Sequence, residues 1–219
     1  MLGEAAEDYL KAIWKLRGEG RVTTSALASE LGVSAASATG MLKKLAGLRL
    51  IEYEPYRGAA LTVAGERVAL EVVRHHRLLE LYLTEALGLG WDEVHAEAER
   101  LEHHLSEELE AKIDEALGFP SRDPHGDPIP SVALELEGDE ARPLADVEAG
   151  ATVRVSSVPD EDAELLRYLG ERELVPGRRV SVVASEPFEG PLTVTIAGEQ
   201  QVLGRELARK VLVAEDEEE

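Results

Sequence analysis

His95, Glu99, Glu102 and His103 are spaced i, i+4, i+7 and i+8, so one helix through them would carry two imidazoles and two carboxylates on a single face. His76 and Glu80 form a second pair at i, i+4, and five of the six histidines fall between residues 75 and 104. A lone Glu–His pair is commonly a solvated surface pair worth ~0.2–0.5 kcal/mol. Four aligned donors with a second pair behind them are instead what a divalent transition metal takes from helices. The chain has no cysteine, which excludes disulfides and thiolate zinc sites; any metal must be held by N and O donors.

Enzymatic use of the same residues finds little support. Helical di-metal oxidases pair Glu-x-x-His on two helices, whereas Arg100 and Leu101 stand three residues before His103 and His104. There is no H-E-x-x-H motif and no recognisable Ser/His/Asp spacing. The expectation is a protein that is not an enzyme.

The elements that must position these donors follow from periodicity. Residues 4–17 have Tyr9, Leu10, Ile13, Trp14 and Leu16 at helical spacing, ended by Gly18 and Gly20. Thr24 or Ser25 can cap a short helix closed by Gly32, and Ser34 can cap a third. Two short helices joined by Gly-Val-Ser suggest a helix-turn-helix. In its second helix the small residues Ser34, Ser37, Thr39 and Gly40 allow close approach to a major groove, and Lys43 and Lys44 can reach phosphates. Two extended runs flanking Pro55, Arg57 and Gly58 predict a hairpin with a basic tip, a wing. A long helix of roughly 65–88 follows, then helices of about 92–104, with Asp92 as cap, and about 106–117, capped by Ser106. Four prolines within residues 119–131 mark a loop or boundary. From about 151 short β runs predict a small barrel.

Charge is distributed unevenly. The whole chain carries a net −21, but residues 1–65 hold 8 basic and 7 acidic side chains, residues 66–118 hold 5 and 14, and residues 119–219 hold 10 and 23. A DNA contact is therefore confined to the first segment. No apolar run approaches ~18 residues, so no transmembrane helix and no membrane partner are expected. A helix starting close to Met1 leaves no room for a signal peptide, and a cytoplasmic location is expected.

The order of these elements, with the stretches EDYLKAIWKL, EYEPYRGAALTVAGE, VVRHHRLLE, VHAEAERLEHHLSEELE and HGDPIP, resembles the diphtheria toxin repressor family, with its manganese-transport-regulator branch nearest in the metal residues. The resemblance implies a mainly α protein with small β parts. Its units would be a winged helix-turn-helix (1–65), a helical metal-binding and dimerisation domain (66–131), a linker (132–150), an SH3-like, FeoA-like β-barrel (151–214) and an acidic tail (215–219). It implies a homodimeric repressor of metal-uptake genes that binds double-stranded operator DNA when a dication bridges the first helix to the dimerisation domain. Carried over residue by residue, the primary ligands are Asp8, Glu99, Glu102 and His103. The ancillary ligands are His76, Glu80 and His95, with Glu161, Asp162 or Glu164 as possible barrel ligands. Iron-sensing members place Met and Cys where this chain has Asp8 and Glu99; hard oxygens there imply Mn²⁺, with Fe²⁺ the alternative and Zn²⁺, Co²⁺ or Cd²⁺ as substitutes in vitro. A winged-helix regulator of a non-metal signal is the remaining alternative. Lys11 stands where the manganese branch has Glu, and a charged Lys cannot ligate; this argues against a closely spaced pair of ions. Gly40 replaces a base-contacting Gln of the iron repressors, so operator preference is not implied. His75, His104 and His125 are expected to be structural or surface residues.

Overall fold

A computed structural model describes residues 2–18, 20–136, 138 and 140–216. Three of the five residues of the expected acidic tail, Glu217, Glu218 and Glu219, lie outside them.

The first helix, α1 (Glu4–Leu16), turns Ala6, Tyr9, Leu10, Ala12 and Ile13 inward. Helices α2 (Thr24–Glu30) and α3 (Ala35–Gly47) close over it with Leu27, Ala38, Leu42 and Leu45, and one apolar core joins the three helices. Thr23, not Thr24 or Ser25, caps α2: its Oγ1 accepts from the Ala26 amide. Ser34 caps α3 as expected. The wing is a two-stranded hairpin, β1 (Ile51–Glu54) and β2 (Gly58–Leu61), antiparallel with Glu54 opposite Gly58. Its tip carries Tyr56 at φ +67, fully exposed.

Helix α4 (Val63–Glu85) is 23 residues long and starts from the Thr62 cap. It passes from the core of the first unit to a second, smaller cluster formed with Ala98 of α5 (Val94–Leu101) and Ile113 of α6 (Glu107–Ala116). The expected single helix over 92–104 is shorter: α5 ends at Leu101, and residues 102–104 form one 3₁₀ turn. Asp92 does not cap it, because its carboxylate takes Arg167 at 2.9 Å.

The C-terminal unit is a six-stranded antiparallel sheet in the order β3-β8-β4-β5-β6-β7, where β3 is Arg142–Pro143, β4 Thr152–Ser157, β5 Arg179–Ser185, β6 Leu192–Ile196, β7 Glu199–Leu203 and β8 Leu212–Glu215. Alternate residues such as Val153, Val155, Val180, Val182, Val194 and Ile196 line its core. Helix α7 (Ala163–Glu171) covers it with Leu166 and Leu169, and α8 (Arg205–Lys210) with Ala208. Strands β3 and β7 are not marked by apolar runs in the sequence. β3 begins within the segment expected to be a linker, and Leu144, fully buried, belongs to the barrel core.

The proline loop crosses strand β4 at Gly126, whose φ is +90. A Cβ there would lie 2.0 Å from the Ser156 carbonyl oxygen. Gly126→Ala should therefore push the loop off the barrel and shift His125, lowering the unfolding free energy by more than the ~1 kcal/mol scale of an ordinary Gly/Ala exchange, read as a lower melting temperature. An unchanged melting curve would show that the close approach is not needed.

Candidate metal centre

Two clusters of donors face each other across α4, α5 and α1. The first joins α1 to the 3₁₀ turn. Asp8 Oδ1 lies 2.8 Å from His103 Nε2, and Glu102 Oε1 lies 3.5 Å from the same nitrogen. Possible ligand atoms of Asp8, Glu102 and His103 all fall within 4.8 Å of one another. His103 Nδ1–H donates to Glu7 Oε2 at 2.8 Å, which fixes the ring and leaves Nε2 for a ligand. The sequence reading did not single out Glu7, although it precedes Asp8 directly and the two acids share one turn. Burial raises the Asp8 pKa; the attraction of His103 opposes this, and Glu102 and Glu99 add to it.

Glu99 stands apart from that trio. Its Oε1 lies 2.6 Å from Lys11 Nζ, and it groups with Glu102 and with His76. The difference from the expected four-ligand set comes from the helix ending at Leu101. The 3₁₀ turn rotates Glu102 and His103 relative to Glu99, so i, i+4 spacing no longer guarantees a shared face.

The second cluster surrounds Glu80, which is fully buried. Its Oε1 accepts from His76 Nε2 at 3.0 Å and from His95 Nδ1 at 3.2 Å; its Oε2 lies 3.6 Å from His125 Nδ1. Four residues, His76, Glu80, His95 and Asp160, make one compact group, and Glu80, Asp123 and His125 make another around the same carboxylate. His76 touches both clusters, since its Nδ1–H reaches Glu102 Oε2 at 2.5 Å. Burial pushes Glu80 up, but His125, His76 and His95 outweigh it and hold the carboxyl well below the usual range. Burial lowers His95, yet the Asp160 and Glu80 carboxylates push it up to about 10. His125 rises to about 9 against burial, chiefly through Glu80. Asp123 is pushed up to about 7 by burial and by the charges of Glu80 and Asp127.

His125, expected to be structural, also faces the Glu80 carboxylate. Its Nε2–H donates to the Trp91 carbonyl at 2.7 Å, with the Trp91 ring stacked on the imidazole, so Nδ1 points at Glu80. Glu80 Oε2, Asp123 Oδ2 and His125 Nδ1 are buried without a hydrogen-bond partner among the described residues. Orphaned buried polar atoms are costly, and three in one cluster of hard O and N donors fit a dication. The only sequence sign was His125 next to a glycine in HGDPIP.

The barrel carboxylate nearest the cluster is not one of the three expected. Asp160, not Glu161, Asp162 or Glu164, faces the cluster, 3.5 Å from His95 Nδ1. Glu161 pairs with Lys15 of α1. Asp162 caps α7 by accepting from the Glu164 and Leu165 amides, which leaves Glu164 exposed in the first turn. Asp160→Ala should lower the affinity of the Glu80 cluster for Mn²⁺ in calorimetry, whereas Glu161→Ala should leave it unchanged; the reverse order would restore the original candidate.

Of the remaining histidines, His75 is buried between the Glu102 carbonyl and Glu110, and His104 is exposed. In the first unit Ser34, Ser37, Gly40, Lys43 and Lys44 are exposed along α3. Thr39 is half-buried and its hydroxyl donates to the Ala35 carbonyl. Arg57, exposed at the wing, pairs with Glu54 at 2.8 Å.

Known proteins share this architecture. Residues 1–59 match the model of the iron dependent repressor N-terminal DNA binding domain, residues 62–131 its metal binding and dimerisation domain, and residues 142–215 the FeoA domain. The chain is 33% identical to the iron-dependent repressor IdeR of Mycobacterium tuberculosis over 97% of each chain. It is 41% identical to a manganese-dependent transcriptional repressor solved in complex with manganese, with a TM-score of 0.90 over 96% of this chain and 99% of that one. It is 29% identical to ScaR with bound Zn²⁺, with a TM-score of 0.83 over 96% and 99%.

Proposed function

The chain belongs to the iron-dependent, or diphtheria toxin, repressor family of metal-dependent transcriptional regulators, which are not enzymes, and from that premise we propose that it is a homodimeric, manganese-responsive repressor of operator DNA. The observation that carries the reading is the 2.8 Å approach of Asp8, on α1, to His103, behind α5. That contact ties the DNA-binding unit to the helical unit through donors a dication would share.

Asp8, Glu102 and His103 would hold the primary ion, and Glu80, His125, Asp123, Asp160 and His95 supply the donors for an ancillary one. A bound dication supplies the positive charge that lets these carboxylates converge. Glu7 keeps His103 in the tautomer that presents Nε2. Asp8 rides on the same helix as Leu10 and Ile13, which pack in one core with Leu42 and Leu45 of α3. Fixing Asp8 therefore fixes α3, with Lys43 and Lys44 on its exposed side. In a dimer the two α3 helices must reach successive major grooves, ~34 Å apart. The two arrangements of α1 form the equilibrium that metal biases. The match of residues 62–131 to a metal binding and dimerisation domain supports a second copy as partner.

Manganese is favoured by the donor chemistry: every carboxylate at the two clusters is a hard oxygen and no sulfur is present. The manganese-bound relative agrees. No helix among the described residues is long and apolar enough to cross a membrane, in keeping with action on DNA in the cytoplasm.

Metal uptake at the Glu80 cluster must expel protons, because His95 and His125 carry them at neutral pH. The affinity of that cluster for Mn²⁺ should rise between pH 6 and 9. Calorimetric heats should differ between buffers of different ionisation enthalpy; identical heats would mean that no proton leaves.

The function itself is tested by fluorescence anisotropy of labelled DNA from the protein's own upstream region. Metal-stripped protein is titrated at fixed salt with no metal, Mn²⁺, Zn²⁺ or anaerobic Fe²⁺. Binding that needs metal, with Mn²⁺ effective, supports the reading; equal binding without metal removes it.

A further inference from the structure

Between the two clusters lies a position already filled by a positive charge of the chain itself. Lys11 sits on α1, three residues after Asp8. Its Nζ donates to Glu99 Oε1 at 2.6 Å and to Glu102 at 2.7 Å (Oε2) and 2.9 Å (Oε1), with His76 Nδ1 3.3 Å away. Those same three residues, His76, Glu99 and Glu102, present ligand atoms within 4.8 Å of one another, a set able to hold a dication. Glu102 has no side-chain exposure and His76 only 5%, while the Lys11 side chain is 17% exposed. Glu102 is also shared: Oε2 turns to His76, Oε1 to His103. It thus stands between the Asp8–Glu102–His103 position and the ammonium, as a carboxylate bridging two cations would.

We propose that the Lys11 ammonium is a resident cation occupying a second cation position formed by His76, Glu99 and Glu102, so that this face takes up one exchangeable dication per protomer, and that removing the ammonium opens it to another. The proposal rests on the metal-dependent reading above for the identity of the exchangeable ion. The physical argument is one of charge. A buried carboxylate is costly without a cation beside it, and the Lys11 ammonium lies within 2.9 Å of both Glu102 oxygens, so a tethered charge supplies that cation at no cost in metal. The response of this face to metal is then first order in the ion, since its second cation is always present.

The test compares full-length wild type with Lys11→Met, which keeps the length and drops the charge, and Lys11→Glu, which adds a donor. Each is dialysed to equilibrium against saturating Mn²⁺ and its metal content per protomer is measured by elemental analysis, with circular dichroism to confirm the fold. Both variants should bind one ion more than wild type. Metal-free Lys11→Met should melt below metal-free wild type, and Mn²⁺ should raise its melting temperature by more. Equal metal content in all three proteins overturns the proposal, because the ammonium is then either displaced by metal or irrelevant to it. If wild type binds Mn²⁺ and the variants gain nothing, the functional reading stands and this inference fails. If wild type binds none and the variants bind one, the Lys11 ammonium is the resident cation of that position, but the one-ion uptake of the wild type and the functional reading both fail.

Discussion

Asp8→Ala should abolish the metal dependence of operator binding while leaving the metal-free fold intact. In wild type, metal should tighten operator binding by a factor of several to about a hundred, the range expected of a coupling of ~1–3 kcal/mol. In the variant that factor should fall to one. The electrostatics explain why so large a functional loss comes without a structural one. The Asp8 side chain is 40% exposed, and the fold raises its pKa through burial and through the nearby Glu102 and Glu99. A carboxyl with a raised folded-state pKa is stabilising only when protonated, so at neutral pH its charge works against the metal-free fold. Removing it relieves crowding among acids. The same crowding is what a dication would discharge. Anisotropy with and without Mn²⁺, beside a melting curve in chelator, checks both halves; a variant that still needs Mn²⁺ to bind DNA would show that Asp8 is not part of the switch.

Glu80→Ala should have the opposite balance, with a large loss of stability even without metal. Glu80 is fully buried and is approached by three imidazoles. Removing one partner from a buried charged cluster typically costs ~3–5 kcal/mol. Here the loss leaves His95 and His125 without the carboxylate that helps keep them charged. The sign with pH follows from the depressed Glu80 pKa: its contribution is present above the ordinary carboxylate range and fades as acid protonates it. The difference in urea midpoint between wild type and variant, measured in chelator, should therefore be large at pH 7 and shrink on acidification. Calorimetry should also lose the ancillary Mn²⁺. A shift under about 1 kcal/mol at pH 7, the scale of an exposed pair, would mean that the cluster does not stabilise the metal-free protein.

Why some of this was legible in the sequence and some was not comes down to whether neighbours in space are neighbours along a helix. His76 and Glu80 lie one turn apart on α4, and their contact is local. Asp8 and His103 are far apart in sequence, and only the family resemblance linked them. His125 was passed over because its partners, Glu80 and the Trp91 carbonyl, come from elements that meet only when the proline loop packs on the barrel. Asp160 was missed among four neighbouring acids, yet Asp162 stands where an N-cap belongs, two residues before Glu164, and that signal separates the capping acid from the facing one. Glu99 stands apart from Asp8 and His103 for a different reason: the expected alignment of four donors assumes an unbroken α-helix, and the helix gives way to a 3₁₀ turn at Glu102. Strand β7, Glu199–Leu203, escaped because an edge strand reading EQQVL carries almost no apolar alternation. Lys11 was seen only as a residue unable to ligate; its place inside the acidic cluster required the packing of α1 on α4 and α5.

The central claim is that metal and DNA act on one equilibrium through the Asp8–His103 junction. Thermodynamic reciprocity gives its most direct test. The Mn²⁺ affinity of the wild-type protein is measured twice, alone and with saturating operator DNA, beside the operator affinity with and without Mn²⁺. The account predicts that DNA tightens Mn²⁺ binding by the same factor by which Mn²⁺ tightens DNA binding. An Mn²⁺ affinity that is the same with and without operator would contradict it.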